Sequence, residues 1–164
     1  MSGALLISKK LGVHAGDRVA LLHAPQEVAI GDLPEGATQT RATGVPDPPV
    51  ELVVGFYRSA ADLEEEVRSL PDGILIDGAL WIAWPRRAGG GVSDLTDNLV
   101  RGLGLGVGLV DVKVAALGEA WSSLRFVFPR AKRAELERAR EARSTVKRPA
   151  RNLDPRGANA ARRR

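Results

Sequence analysis

Three short, nearly continuous apolar runs, each ended by a turn residue or a proline, place the strongest limits on how this chain can fold. They are residues 19–23, 51–57 and 79–84. Runs of this length between turn signals are typical of buried strands. After the second run, Ser59 suits a helix start, and Leu63, Val67 and Leu70 follow at the spacing of one helix face. Strands that alternate with helices predict an α/β fold with a mostly parallel sheet.

A second helix is predicted after the third run. Ser93 suits its first position, Asp94 and Asp97 place negative charge in its first turn, and we expect it to span residues 93–103. The glycine-rich stretch 102–108 follows a helix and precedes a strand, which is the reverse of the order in phosphate-binding loops. We interpret this stretch as the stop of the helix.

The last strands of the domain are predicted from alternation. Apolar and polar residues alternate at 110–114 and again at 124–128, and residues 118–122 suit a hairpin between them. Residues 38–43 are β-prone but polar, which favours an edge strand. The predicted fold is therefore a small, three-layer, Rossmann-like α/β domain. Its mostly parallel, mixed sheet ends in an antiparallel hairpin.

The charge of the chain is divided unevenly along its length. Of 24 basic and 20 acidic residues, 13 and 4 lie in residues 130–164, so this segment carries a net charge of +9. Residues 1–129 keep 11 basic and 16 acidic residues, a net charge of −5. We therefore predict two parts: a Rossmann-like body (residues 1–129) and a basic tail (residues 130–164). In the tail, a solvated helix at 131–143 precedes a disordered segment.

Several classes of protein are disfavoured by composition and motifs. The chain has no cysteine, and neither of its two histidines has metal-ligand spacing, so no metal site is expected. It has neither a G-x-S-x-G elbow nor a Walker lysine. No apolar run is long enough to cross a membrane, and the N-terminal residues lack the order of a secretory signal. Arginine outnumbers lysine 19 to 5. Together these features lead us to expect a cytoplasmic bacterial protein with no membrane partner.

A candidate ligand site follows the third buried strand. Open α/β sheets bind ligands at the carboxyl ends of their strands. Here two arginines and a glycine-rich loop lead into a helix start. The guanidinium groups and the free amides of the helix start can together bind an anion. The alternative is a mobile surface loop. Trp121, expected in the hairpin loop, either covers the end of the sheet or stacks on a ligand. The candidate residues are Arg86, Arg87, Gly89, Gly90, Gly91, Ser93, Asp94, Trp121, Ser122 and Arg125.

Two other features have competing interpretations. His23 lies just past the first strand, where a catalytic base can stand, but we favour a capped or hydrogen-bonded structural histidine. Residues 64–66 are three consecutive glutamates, which we interpret as a solvated helix face. No catalytic residue is assigned from the sequence.

Part of the chain resembles S-adenosylmethionine-dependent methyltransferases. The resemblance lies in residues 9–13, 16–19, 81–85, 93–103 and 108–114. It implies the Rossmann-like fold of those enzymes. In that family a glycine-rich turn follows the first strand, whereas this chain has His-Ala-Pro-Gln-Glu at 23–27. We therefore expect no cofactor to bind in the usual way.

A closer resemblance is to a family of small, mostly actinobacterial proteins, the domain-of-unknown-function family three-zero-five-two. It lies in residues 80–87, 93–96, 108–114 and 121–125 and, with the N-terminal match, extends over about residues 9–129. This resemblance implies a Rossmann-like domain and no established activity.

Three functions follow as hypotheses. The first is a non-catalytic Rossmann-like domain that binds a small ligand or a protein partner without a cofactor. The second is a divergent methyltransferase. The third is a protein that binds nucleic acid weakly and without sequence preference through its basic tail.

Overall fold

The computed structural model describes residues 8–86, except 27 and 29, and residues 93–152, with side chains as far as 143. The strands are β1 (Arg18–Leu22), β2 (Thr38–Ala42), β3 (Val50–Phe56), β4 (Ile74–Pro85), β5 (Val110–Leu117) and β6 (Trp121–Val127). The helices are α1 (Ala60–Glu66), α2 (Asp97–Gly106) and α3 (Arg133–Asn152). Short 3-10 turns lie at Leu70–Gly73 and Arg130–Lys132. The chain divides into two units, Met1–Pro129 and Arg130–Arg164.

The first unit is built on one six-stranded sheet with the order β2-β1-β3-β4-β6-β5. β1 pairs in parallel with β2 and β3, and β3 pairs in parallel with β4. β6 runs antiparallel between β4 and β5. This arrangement confirms the predicted mixed α/β sheet. It also places the polar strand β2 at an edge, as predicted.

Buried side chains cover both faces of the sheet. On one face Trp81 is fully buried, and its indole Nε1 donates a hydrogen bond of 3.1 Å to the carbonyl oxygen of Leu11. Ile30 joins the same cluster. Phe126 follows the residue that pairs with Trp81, so it points to the opposite face, where Gly104 of α2 lies against its ring. Layers on both faces of the sheet produce the predicted three-layer arrangement.

Helix α2 differs from its predicted bounds at both ends. It begins at Asp97, because Thr96 is its N-cap and accepts a hydrogen bond of 3.2 Å from the amide of Leu99. The prediction that it starts at Ser93 is therefore wrong. The helix also continues through Gly102 and Gly104 to Gly106, so most of the glycine-rich stretch is helical rather than a stop.

Three predictions about the strands are also corrected. The alternation at 110–114 is typical of a half-buried strand, but Val112 and Val114 are 51% and 57% exposed, because β5 is an edge strand with a bulge between Asp111 and Lys113. Trp121 was expected in the hairpin loop but is the first residue of β6. β4 begins at Ile74, five residues before the predicted strand, since the ladder with β3 extends that far.

The second unit contains α3, which is longer than the sequence suggested. Its backbone is helical to Asn152, so the predicted disorder does not hold for residues 144–152, and residues 153–164 lie outside the described part. From Arg130 to Arg143, where side chains are described, none is buried. Among the described residues, no helix is long and apolar enough to span a membrane.

Candidate functional site

A cavity of about 480 Å³ opens at the carboxyl ends of β1 and β3. The strand order reverses there, since β2 lies on one side of β1 and β3 lies on the other. Ligands of open α/β sheets bind at such a reversal. His23, directly after β1, lines the cavity together with Phe56, Tyr57 and Arg58 at the end of β3.

His23 leaves β1 in an unusual backbone conformation. Its φ is +57°, and it is the one non-glycine residue with positive φ in the described part of the chain. This turn directs the ring to Glu66, whose Oε2 and Oε1 lie 2.9 and 3.1 Å from His23 Nε2. A carboxylate only accepts hydrogen bonds, so Nε2 carries the proton of this contact. In a neutral His23 ring, Nδ1 is then the nitrogen with the free electron pair.

Tyr57 donates the second hydrogen bond to Glu66. Its hydroxyl lies 2.6 Å from Glu66 Oε1, and its side chain is only 2% exposed. Burial first, and then the bonded carboxylate, raise the pKa of Tyr57 far above its usual range, so the phenol stays protonated and acts as a donor. Its ring also meets the His23 ring edge-on, with 5.5 Å between centroids. Glu66, the last residue of α1, is therefore held from two sides.

Two further aromatic rings form an apolar wall. Phe56 and Trp121 pack edge to face with 5.0 Å between their centroids. The guanidinium of Arg58 lies 5.1 Å from the centre of the Trp121 ring, within the range of a cation–π contact. The Arg58 carbonyl oxygen accepts a hydrogen bond of 2.8 Å from the hydroxyl of Ser93.

Helix α1 supplies an acidic side to the cavity. Asp62, Glu65 and Glu66 line it, and their spacing of i, i+3 and i+4 places them on one helix face. Ser59 caps the helix by accepting a hydrogen bond of 3.2 Å from the amide of Asp62, as the sequence predicted. Of the three carboxylates, only Glu66 has a side-chain partner among the described residues.

The structure brings three of the residues proposed from the sequence to this cavity or beside it. Trp121 lines it directly. Ser93 bonds to Arg58, and the Asp94 carboxylate accepts a hydrogen bond of 2.8 Å from the amide of Ala60. Asp94 thus lies at the start of α1, not in the first turn of α2 as expected.

The other proposed residues lie elsewhere or are not described. Arg86 follows the end of β4, and its amide bonds to Ala120 at 2.8 Å. Ser122 pairs with Trp84, one step into the sheet. Arg125 pairs further along β4, and burial lowers the pKa of its guanidinium. Residues Arg87, Gly89, Gly90 and Gly91 lie outside the described part of the chain.

Sequence reasoning missed most of the acidic and aromatic lining. The interpretation of residues 64–66 as a solvated face is correct for Glu64 and Glu65, which are exposed, but not for Glu66, which is half-buried. The spacing of Asp62, Glu65 and Glu66 was a usable signal of a shared face. No local signal pairs Tyr57 with Glu66, because their contact depends on how α1 returns to the sheet. No group of three metal-binding side chains occurs among the residues described here.

The sheet and its cavity define a Rossmann-like α/β domain. No protein-family model and no curated protein matches the sequence, so the resemblance to family three-zero-five-two stays an expectation. A TehB-like S-adenosylmethionine-dependent methyltransferase from Corynebacterium glutamicum is similar in structure. It has 12% identity and a TM-score of 0.52 over 77% of this chain and 88% of that chain. A possible exported protein from Bordetella parapertussis has 9% identity and a TM-score of 0.50 over 78% and 66% of the two chains. At these identities the similarity shows the fold alone.

Proposed function

We propose that the first unit is a non-catalytic domain that binds a small organic ligand in the cavity between β1 and β3. The position of the cavity at the reversal of strand order carries this proposal, since this is where open α/β sheets bind ligands. The combination of an apolar wall with a few convergent polar groups is typical of ligand sites. The positive φ of His23 adds support, because backbone outliers of this kind cluster at functional sites.

A thermal-shift screen of the full chain tests the proposal. The panel contains nucleotides, sulfonium compounds and phosphorylated metabolites. A ligand at about 100 times its Kd should add roughly 2.7 kcal/mol to the free energy of unfolding. Arg58→Gln changes an exposed side chain of the cavity, and Arg68→Gln is the matched control, exposed and outside the cavity. We expect only the first variant to change the shift. No shift with any compound, or equal shifts in both variants, would refute the proposed site.

A second candidate is a divergent S-adenosylmethionine-dependent methyltransferase. The fold shared with the Corynebacterium glutamicum enzyme favours it. Against it, the turn after β1 holds His23, Ala24 and Pro25 where methyltransferases resembling this chain place glycines. We therefore expect calorimetry to detect no micromolar binding of S-adenosylmethionine. Saturable binding at that level would make the methyltransferase the leading candidate.

The basic tail carries a separate proposal, weak binding of nucleic acid without sequence preference. Its net charge of +9 supports this, and the absence of aromatic residues from the tail argues against base stacking. We expect a Kd of roughly 10⁻⁴–10⁻⁶ M for random duplex DNA, rising steeply with salt. In the full chain, replacing Lys132, Arg138 and Arg143 by glutamine should lower both the affinity and the salt dependence. Unchanged affinity in this variant would contradict the proposal.

A further inference from the structure

The charge of the cavity indicates what kind of ligand it can take. Among the described residues, three carboxylates line it, from Asp62, Glu65 and Glu66, against one guanidinium from Arg58. The net charge of this described lining is therefore −2 with His23 neutral and −1 with His23 protonated. In either state of the histidine the cavity favours a cation over a neutral molecule or an anion.

The carboxylates differ in how far they are already used. Glu66 accepts hydrogen bonds from Tyr57 and His23 and is held in place. Asp62 and Glu65 are exposed at the cavity, and neither side chain has a hydrogen bond or ion pair within the described residues. These two carboxylates are thus free to bind an incoming positive group.

The aromatic wall faces the same space. Phe56 and Trp121 are only 4% and 5% exposed, so a ligand can reach no more than the small part of each ring that lines the cavity. The Arg58 guanidinium lies over one face of the Trp121 ring, so a ligand ring packs against the wall beside this guanidinium. A planar ligand ring can pack against this wall at little cost in conformational entropy.

We propose that the cavity selects an organic cation that joins a planar ring to a positively charged nitrogen. The ring packs against Phe56 and Trp121, and the charged nitrogen binds to Asp62 and Glu65. This inference rests on the proposed ligand-binding function and adds the chemical class of the ligand. The aromatic wall within the cavity provides the ring site, and the two free carboxylates determine the preferred charge.

Three probes share a phenol ring and differ in charge, so they test whether the charge of the ligand decides its affinity. Tyramine carries an ammonium group, 4-ethylphenol is neutral, and 3-(4-hydroxyphenyl)propionate carries a carboxylate. Binding to the full chain is measured by ligand-observed NMR and calorimetry at low and high salt. We expect tyramine to bind about tenfold more tightly than 4-ethylphenol, which is what two partly exposed ion pairs supply. Added salt should reduce this preference, because the carboxylates are solvent-accessible.

Matched variants test which carboxylates cause the preference for tyramine. Combining Asp62→Asn with Glu65→Gln should abolish the preference for tyramine and leave the affinity for 4-ethylphenol unchanged. Both positions are exposed, and far-ultraviolet circular dichroism checks that the variant is folded. Glu64→Gln is the control, because Glu64 lies on the same helix, is exposed and does not line the cavity. It should retain the full preference.

Two results would overturn the inference. If 4-ethylphenol or the carboxylate probe binds as tightly as tyramine, the cavity does not select cations, although it can still be a ligand site. If no probe binds while the thermal-shift screen finds a ligand sensitive to Arg58→Gln, the inference fails and the proposed function stands. The proposed function fails with it when that screen finds no ligand or when Arg58→Gln and Arg68→Gln give equal shifts.

Discussion

His23 holds a left-handed backbone conformation that glycine adopts without cost. Its φ of +57° is normally unfavourable for a residue with a Cβ atom, and its contact with Glu66 keeps the ring in place. His23→Ala and His23→Gly both remove this contact, but only alanine keeps the unfavourable conformation. We expect the glycine variant to be more stable than the alanine variant by about 1 kcal/mol. Urea denaturation measures this difference, and equal midpoints would contradict the prediction.

Glu51 should make stability depend on acid pH. Its carboxylate accepts two hydrogen bonds of 3.0 Å from the Arg18 guanidinium, which lower the pKa of Glu51 from 4.5 to about 2. A lowered pKa in the folded state contributes stability above pH 4.5, and this contribution is lost as the pH falls towards 2. Between pH 7 and pH 2.5 the wild type should therefore lose more stability than Glu51→Gln. The exposed Glu64→Gln variant is the control and should behave like the wild type. Parallel pH profiles of the wild type and Glu51→Gln would show that the ion pair does not contribute pH-dependent stability.

At the scale of elements, α2 packs against the sheet through a glycine. A Cβ atom on Gly104 would lie 2.2 Å from Phe126 Cε1, whereas a Cβ atom on Gly102 would meet nothing within 4 Å. Alanine in a helix is generally favoured over glycine by about 1 kcal/mol. Gly102→Ala should therefore stabilise the protein by up to about 1 kcal/mol. Gly104→Ala should destabilise it by about 1–3 kcal/mol, because the added methyl group overpacks the core. Chemical denaturation of both variants tests the difference, and stabilisation by Gly104→Ala would show that α2 can shift away.

At the scale of the whole molecule, the two parts of the chain contribute unequally to stability. Every buried apolar residue among those described lies between Leu11 and Phe128. From Arg130 to Arg143, where side chains are described, none is buried. We therefore expect a chain that ends at Pro129 to unfold cooperatively, with a Tm within about 2 °C of the full chain. Differential scanning calorimetry measures this, and loss of the cooperative transition would show that the tail is structural.

The sequence alone predicted the features that depend on neighbouring residues. Apolar runs located β1, β3 and half of β4, and the polar segment 38–43 located the edge strand β2. Ser59 was found as a helix cap because a cap and the amide that it binds lie three residues apart. Errors arose where local signals competed, as at α2, where Ser93 and Thr96 both suit a helix start. Only the contact of Ser93 with Arg58 assigns it elsewhere.

The cavity depends on contacts that no local pattern contains. His23 and Glu66 are 43 residues apart, and Asp94 and Ala60 are 34 apart. These residues meet because the sheet places β1 beside β3 and because α1 returns towards the carboxyl ends of both strands. Periodicity and capping involve residues within a few turns of the chain, so the sequence determined whether each element is a helix or a strand. Strand order and packing decide which distant side chains share a space, and only the tertiary structure revealed this acidic, aromatic cavity.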